Sequence, residues 1–164
     1  QMLELGWPKE DIVNQIDYTR EKTMAGQAYF RTENVLSNLK GILFSINDYY
    51  KYPAKLPAMT WLSDTIPDAP FDLRAEKVKG IFQLQWENNQ NQRTTYTIYR
   101  SQEERFDKEK AEKIVATRVR EPKFQIYVED NDEAYYYYVT SSDAFNNESD
   151  VSHPAFFYHS ETIK

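Results

Sequence analysis

Two spacings of apolar residues divide the chain. Between Ile12 and Tyr50 apolar side chains recur every three or four positions, which is typical of amphipathic helices. From Pro70 onward they alternate with polar side chains, which is typical of β-strands with one buried face. Three prolines and several large apolar residues lie between the two patterns. We therefore expect a helical region with its linker at residues 1–65, and a β region at residues 66–164.

The first region is predicted to form a helix, a strand and a second helix. The first helix is expected over residues 7–24 and a short aromatic strand over residues 27–31. A second helix is expected over residues 32–50, with Thr32 as its N-cap. Gly41 opposes this helix, because glycine inside a helix costs up to about 1 kcal/mol relative to alanine.

The second region is predicted to be an antiparallel β-sandwich, which makes the chain α+β overall. Polar turn sequences separate its short alternating segments, and a charged stretch at residues 102–113 is expected to be a solvated loop. The seven predicted strands lie at residues 71–76, 81–87, 94–101, 114–118, 124–129, 135–142 and 152–158.

Composition narrows the classes of function. The 164-residue chain has a net charge of −6, which argues against sequence-independent binding of nucleic acid. Its longest apolar runs fall short of the roughly 18 to 20 residues that span a bilayer, so membrane insertion by this region is not expected. With no cysteine, and with His153 and His159 apart from any acidic cluster, neither a metal site nor a cofactor is expected.

Four consecutive tyrosines, Tyr135 to Tyr138, are the most unusual local feature. In a strand they alternate between two faces. We expect Tyr137 to occupy the tyrosine-corner position of a sandwich, with Val139 beside it in the core. Tyr136 and Tyr138 would then face outward, where they are candidates for docking against another domain or for stacking on a sugar ring.

Three segments resemble fibronectin type III domains. They are "PDAPFDLRAEKVKGIFQLQWE", which carries Trp86, "TTYTIYRS", and "YYYYVTSSDAFNNESDVS". The resemblance covers roughly residues 67–158. It implies a fibronectin type III or immunoglobulin-like sandwich with Trp86 in its core.

The preceding segment, "EDIVNQIDYTREKTMAGQAYFRTENVLSNLKGILFSINDYYKYPAKLPAMTWL", is similar to the C-terminal end of a glycosyl-hydrolase-like β/α-barrel family. These are bacterial envelope proteins, lipoproteins among them, and in Bacteroides-type members a fibronectin-like domain follows the barrel. The resemblance implies that the chain is the C-terminal fragment of a longer protein. It also implies a location in the bacterial cell envelope or outside the cell.

Most of a barrel active site is absent from such a fragment. Barrel enzymes assemble their sites from the ends of several strands, and here a single strand end offers Arg31 and Glu33 as substrate-facing residues. We therefore expect a fragment without catalytic residues, from a parent protein that processes glycans. The sandwich would act as a structural or docking module against the rest of the barrel, with Trp61 at the junction.

Two alternatives remain open. The first is a carbohydrate-binding module that uses exposed aromatic side chains to bind a polysaccharide. The second is a protein-interaction module, in which the orphaned barrel elements pair with a second copy of the chain to form a homodimer.

Overall fold

A computed structural model of the chain describes residues 5–24, 27–29, 32–78, 81–89, 93–126 and 134–158. These residues belong to two compact units, Gln1–Lys51 and Tyr52–Lys164. The division lies earlier than the boundary expected at residue 65, because the segment before the first β-strand is bonded to the β unit.

The helical unit contains three short helices and one 3-10 turn among its described residues. They are α1 (Glu10–Glu21), α2 (Thr32–Leu36), the 3-10 turn Leu39–Gly41 and α3 (Ile42–Tyr49). The prediction of one helix over residues 32–50 is wrong. Asn38, Lys40 and Gly41 adopt left-handed φ angles of 53°, 54° and 76°, and asparagine and glycine tolerate this conformation better than other residues do.

The strand predicted at residues 27–31 is not observed at residues 27–29, and Phe30 and Arg31 lie outside the described residues. An isolated strand leaves its backbone groups without hydrogen-bond partners, so it is not stable by itself. Instead, the side-chain amide of Gln27 donates hydrogen bonds to the backbone oxygen of Gln15 (3.0 Å) and to Oγ1 of Thr19 (2.6 Å).

The β unit is an antiparallel sandwich of two sheets. One sheet has the order β1-β2-β5 and the other the order β4-β3-β6-β7. This confirms the predicted antiparallel two-sheet architecture. The strands in the described residues are β1 (Phe71–Val78), β2 (Ile81–Glu87), β3 (Thr95–Ser101), β4 (Ile114–Val119), β5 (Lys123–Ile126), β6 (Ala134–Ser142) and β7 (Ala155–Tyr158).

The core lies between the two sheets. On β2 the buried side chains are Phe82, Leu84 and Trp86, and their neighbours along the strand are less buried, as strand alternation requires. They meet side chains of the other sheet, of which Ile98 and Val139 are fully buried. Burial of this many large apolar side chains is the main stabilising contribution to the unit.

The segment from Pro53 to Pro70 is fixed to the sandwich and is not a free linker. Its backbone exchanges hydrogen bonds with the turn and strand at the end of β6, over distances of 2.6 to 3.2 Å. The donor and acceptor pairs are Met59 N to Phe145 O, Asn146 Nδ2 to Pro57 O, Asn147 Nδ2 to Ser63 O, and Ser141 Oγ to Asp68 O.

Candidate functional site

Of the two residues expected at a barrel strand end, the structure describes Glu33. Glu33 lies in the first turn of α2 and is exposed, and Arg31 is outside the described residues. Within the described ranges, no cluster of histidine and carboxylate side chains is arranged to hold a metal ion. The helices in those ranges are also too short and too polar to cross a membrane.

Trp86, Tyr137 and Val139 lie together in the core between the sheets. The Trp86 ring packs edge-on against Tyr96, with 5.1 Å between the ring centroids. Burial raises the pKa of Tyr137 to about 12, although the nearby guanidinium of Arg100 acts in the opposite direction. The tyrosine-corner role of Tyr137 stays a prediction.

Tyr138 does not offer an exposed ring, so the expectation that it stacks on a sugar is wrong. Only 3% of its surface is accessible. The loop after β3 covers it: Phe106 packs against its ring at 4.8 Å, and its hydroxyl donates a hydrogen bond to the backbone oxygen of Glu104. Most of the charged stretch at residues 102–113 is exposed, as expected of a solvated loop, but its Phe106 and the backbone of Glu104 cover Tyr138.

The remaining candidate aromatics are exposed to different degrees. Tyr136 is half-buried against Phe156, with 4.9 Å between centroids and planes inclined by 53°. Phe156 and Tyr158 are each more than half exposed, and Trp61 is 76% exposed. The inclination means that Tyr136 and Phe156 do not form the coplanar platform on which a sugar ring stacks best.

A polar cluster that sequence reasoning missed is built around Glu148. Its Oε1 accepts hydrogen bonds from the hydroxyls of Tyr99 and Thr140, the latter over 2.7 Å. Its Oε2 accepts one from the ammonium group of Lys55 over 2.9 Å. Lys55 also pairs with Glu109 at 3.2 Å. No spacing rule links these residues, because Lys55 and Glu148 are separated by 93 positions.

The protonation states of this cluster follow from its contacts. Burial by itself raises the pKa of Glu148, but hydrogen bonds from Tyr99, Thr140 and Lys55 outweigh it, and the pKa lies below its usual value. Burial and the neighbouring carboxylate raise the pKa of Tyr99. Burial lowers the pKa of Lys55, but its two carboxylate partners more than compensate and the net shift is upward. Glu148 is therefore ionised and fully bonded, which suits a structural role better than proton transfer.

A groove of about 460 Å³ runs beside this cluster on the outer face of the four-stranded sheet. One wall is the segment from Pro53 to Ala58, and the floor is formed by β3 and β4. Its polar lining consists of Lys55, Thr95, Thr97, Glu109, Thr117, Arg118, Ser142, Asn146 and Glu148.

A β-bulge in β4 shapes the floor of the groove. Tyr96 and Ile98 of β3 pair with Val119 and Ala116 of β4, so three steps along β4 match two along β3. The extra residue lies at Thr117–Arg118, and Arg118 has a φ of 58°. Consecutive strand residues normally face opposite sides of a sheet, but here both Thr117 and Arg118 line the groove.

Comparison with known proteins gives one sequence relative of note. The chain is 32% identical over 153 residues to the Bacillus subtilis (strain 168) protein named "Glycosyl hydrolase YngK". The match covers 87% of this chain but 29% of that protein, so the chain spans less than a third of its relative's length. No protein-family model matches the chain.

Solved structures with a similar fold include an Fn3-like protein from Clostridium thermocellum and domains A168–A170 of titin. The first has a TM-score of 0.48 and 18% identity, and covers 61% of this chain and all of its own. The second has a TM-score of 0.46 and 20% identity, and covers 58% of this chain and 33% of its own. The sandwich architecture stated above rests on the strand order and the core, and not on these likenesses.

Proposed function

We propose that this chain is the non-catalytic C-terminal region of a glycan-processing protein, located in the bacterial cell envelope or outside the cell. Its sandwich serves as a structural or docking module. The observation that carries the proposal is the segment before β1: from Lys55 to Asp68 it is bonded to the sandwich, so it belongs to the module. The glycan context is supported by the relative named as a glycosyl hydrolase.

The acidic residues support a structural role. Glycoside hydrolysis usually needs two carboxyl groups facing the scissile bond, one of them protonated. Glu148 has a lowered pKa and three protein donors, so it is poorly suited to be the proton donor. Glu109 pairs with Lys55 as well, and this ion pair helps to hold the segment before β1 to the sandwich.

The exposed apolar side chains of the helical unit support the proposal that this unit contacts another part of a protein. Leu36 and Phe44 are 73% and 72% exposed, whereas Ile16 and Ile42 are its buried apolar side chains among the described residues. Exposed apolar side chains of this size are available for contact with another part of a protein. We propose the remainder of the parent barrel as that partner, and a second copy of the chain as the alternative.

The test is to incubate the 164-residue chain, and in parallel a longer protein that contains it, with a panel of polysaccharides and to measure released reducing ends. We expect no release by the chain alone. Release that persists in a Glu148→Gln variant and disappears in Glu33→Gln would overturn the proposal and return the site to the helical unit. Light scattering on the eluting chain distinguishes a monomer from the alternative homodimer.

A further inference from the structure

The groove on the outer face of the four-stranded sheet has the chemistry of a ligand site. Its volume of about 460 Å³ lies within the range of roughly 300 to 1,000 Å³ typical of small-molecule sites. One wall is aliphatic, with Leu56 and Pro57, and the opposite lining is polar. Both belong to the β unit, so the groove is complete within it.

The bulge gives the floor of the groove an uncommon backbone conformation. Arg118 is neither glycine nor asparagine, yet it holds a φ of 58°, which is unfavourable for a residue with a long side chain. Such strain persists only where the surrounding structure enforces it, and it is concentrated at functional sites. Here the two consecutive residues at the bulge, Thr117 and Arg118, both line the groove.

The charges of the lining select the class of ligand. Lys55 and Arg118 are cationic, Glu109 and Glu148 are anionic, and their charges sum to zero. An anionic ligand would meet two carboxylates and a cationic ligand would meet two bases. A neutral ligand with many hydroxyls matches the lining better, because each hydroxyl both donates and accepts hydrogen bonds.

We propose that this groove binds one neutral sugar unit of a glycan, a ligand class that rests on the glycan context of the proposed function. Arg118 donates hydrogen bonds to the sugar hydroxyls, and the exposed carboxylate of Glu109 accepts from them. The hydroxyls of Thr95 and Thr117 do both. The aliphatic wall packs against the C–H face of the ring. Because none of the described residues that line the groove is aromatic, we expect a dissociation constant of about 1 mM.

The experiment is a titration of the ¹⁵N-labelled 164-residue chain with cellohexaose, with chitohexaose and with hexagalacturonate, followed by amide chemical shifts. We expect at least one neutral probe to shift amides of residues 54–56, 58, 95–97 and 117–118. The anionic hexagalacturonate is expected to cause no saturable shift there. Saturable binding of hexagalacturonate alone would overturn the assignment of a neutral ligand.

Two variants make the test specific to the groove. Arg118→Gly removes the side chain but suits the left-handed backbone, so we expect binding at least about tenfold weaker with an equal or higher melting temperature. Thr117→Val keeps the shape and removes the hydroxyl, and is also expected to weaken binding. The control is Phe156→Ala, which removes an exposed ring outside the groove and is expected to leave binding unchanged.

Each contrary outcome has a defined meaning. Shifts centred on Phe156 and Tyr158, abolished by Phe156→Ala, would show that the sugar binds to the exposed aromatic side chains, and would overturn the assignment of the sugar site to the groove. Absence of saturable shifts with both neutral probes at about 10 mM would also overturn it, because a site of the stated affinity would then be largely occupied. Neither outcome bears on the polysaccharide-release test, so failure of this inference is separable from failure of the proposed function.

Discussion

The ammonium group of Lys55 donates a hydrogen bond to the carboxylate of Glu148 across a separation of 93 residues. About a fifth of the Lys55 side chain is exposed, and 15% of that of Glu148. A pair this shielded from solvent differs from a surface ion pair, because removing one partner leaves the other charge in a poorly solvated place.

We therefore expect Lys55→Met to lower the free energy of unfolding by about 1 to 3 kcal/mol, since Glu148 keeps its two hydroxyl donors but loses its cation. Urea unfolding followed by tryptophan fluorescence measures this. The matched control is Lys22→Met, which removes an ion pair with Glu21 whose side chains are at least half exposed. Equal effects of the two substitutions would contradict the structural role given to Lys55.

The lowered pKa of Glu148 predicts a dependence of stability on acid. An unfolded glutamate titrates near pH 4.3, and the folded pKa of Glu148 lies lower. The stability from its ionised form is therefore present above about pH 4.3 and is lost as pH falls through the folded pKa.

A Glu148→Gln variant tests this, because glutamine does not titrate. The gap in unfolding free energy between the native chain and the variant should be largest near neutral pH and should shrink below about pH 4. Unfolding curves between pH 3 and pH 7 give the gap. A gap that widens in acid would mean that the folded pKa is raised.

The raised pKa values of Tyr99 and Lys55 predict that the folded chain also loses stability at alkaline pH. A raised pKa stabilises the folded chain below the unfolded pKa, and the contribution is lost as pH rises past it. Unfolded tyrosine and lysine titrate near pH 10 and 10.4. A Tyr99→Phe variant should therefore lose less stability than the native chain when pH is raised from about 9 to about 11.

Truncation tests the position of the boundary between the units. Residues 52–164 should unfold cooperatively, because they contain the core between the two sheets. Residues 66–164 should melt at a lower temperature, since they lack Lys55 and the backbone group of Met59 that bonds to Phe145. Circular dichroism melts of both pieces and of the whole chain provide the comparison. Identical melts of the two pieces would show that the segment contributes nothing.

Trp86 gives a prediction about packing. Its indole nitrogen is buried and makes no hydrogen bond to the described part of the chain. Trp86→Phe therefore loses mainly contact area, whereas Trp86→Ala opens a cavity and is expected to cost about 3 to 5 kcal/mol. Chemical unfolding should show a clearly smaller loss for phenylalanine than for alanine. Equal losses would indicate that the indole N–H carries the contribution.

The β-strands could be predicted from the sequence because alternation is a local signal. On β2 the buried positions Phe82, Leu84 and Trp86 recur at a spacing of two, which needs no knowledge of the partner strand. The two antiparallel sheets follow from several such strands separated by short turns.

The failures concern contacts made across the sequence. Residues 27–29, the described part of the strand expected at residues 27–31, have no neighbouring strand among the described residues of the helical unit, and the helix expected at residues 32–50 is broken by left-handed residues near Gly41. Tyr138 alternates outward as expected, but a loop more than 30 residues upstream covers it. Nothing in the local sequence around Lys55 or around Glu148 predicts the hydrogen bond between them.

The bulge at Arg118 also affects an exposed edge of the sandwich. β4 is the outermost strand of its sheet, and a straight outermost strand presents unpaired backbone groups on which another chain can add a strand. An extra residue at Arg118 bends β4 and interrupts the regular row of donors and acceptors. The feature that shapes the groove therefore also makes the β4 edge of the sheet a poorer template for edge-to-edge aggregation.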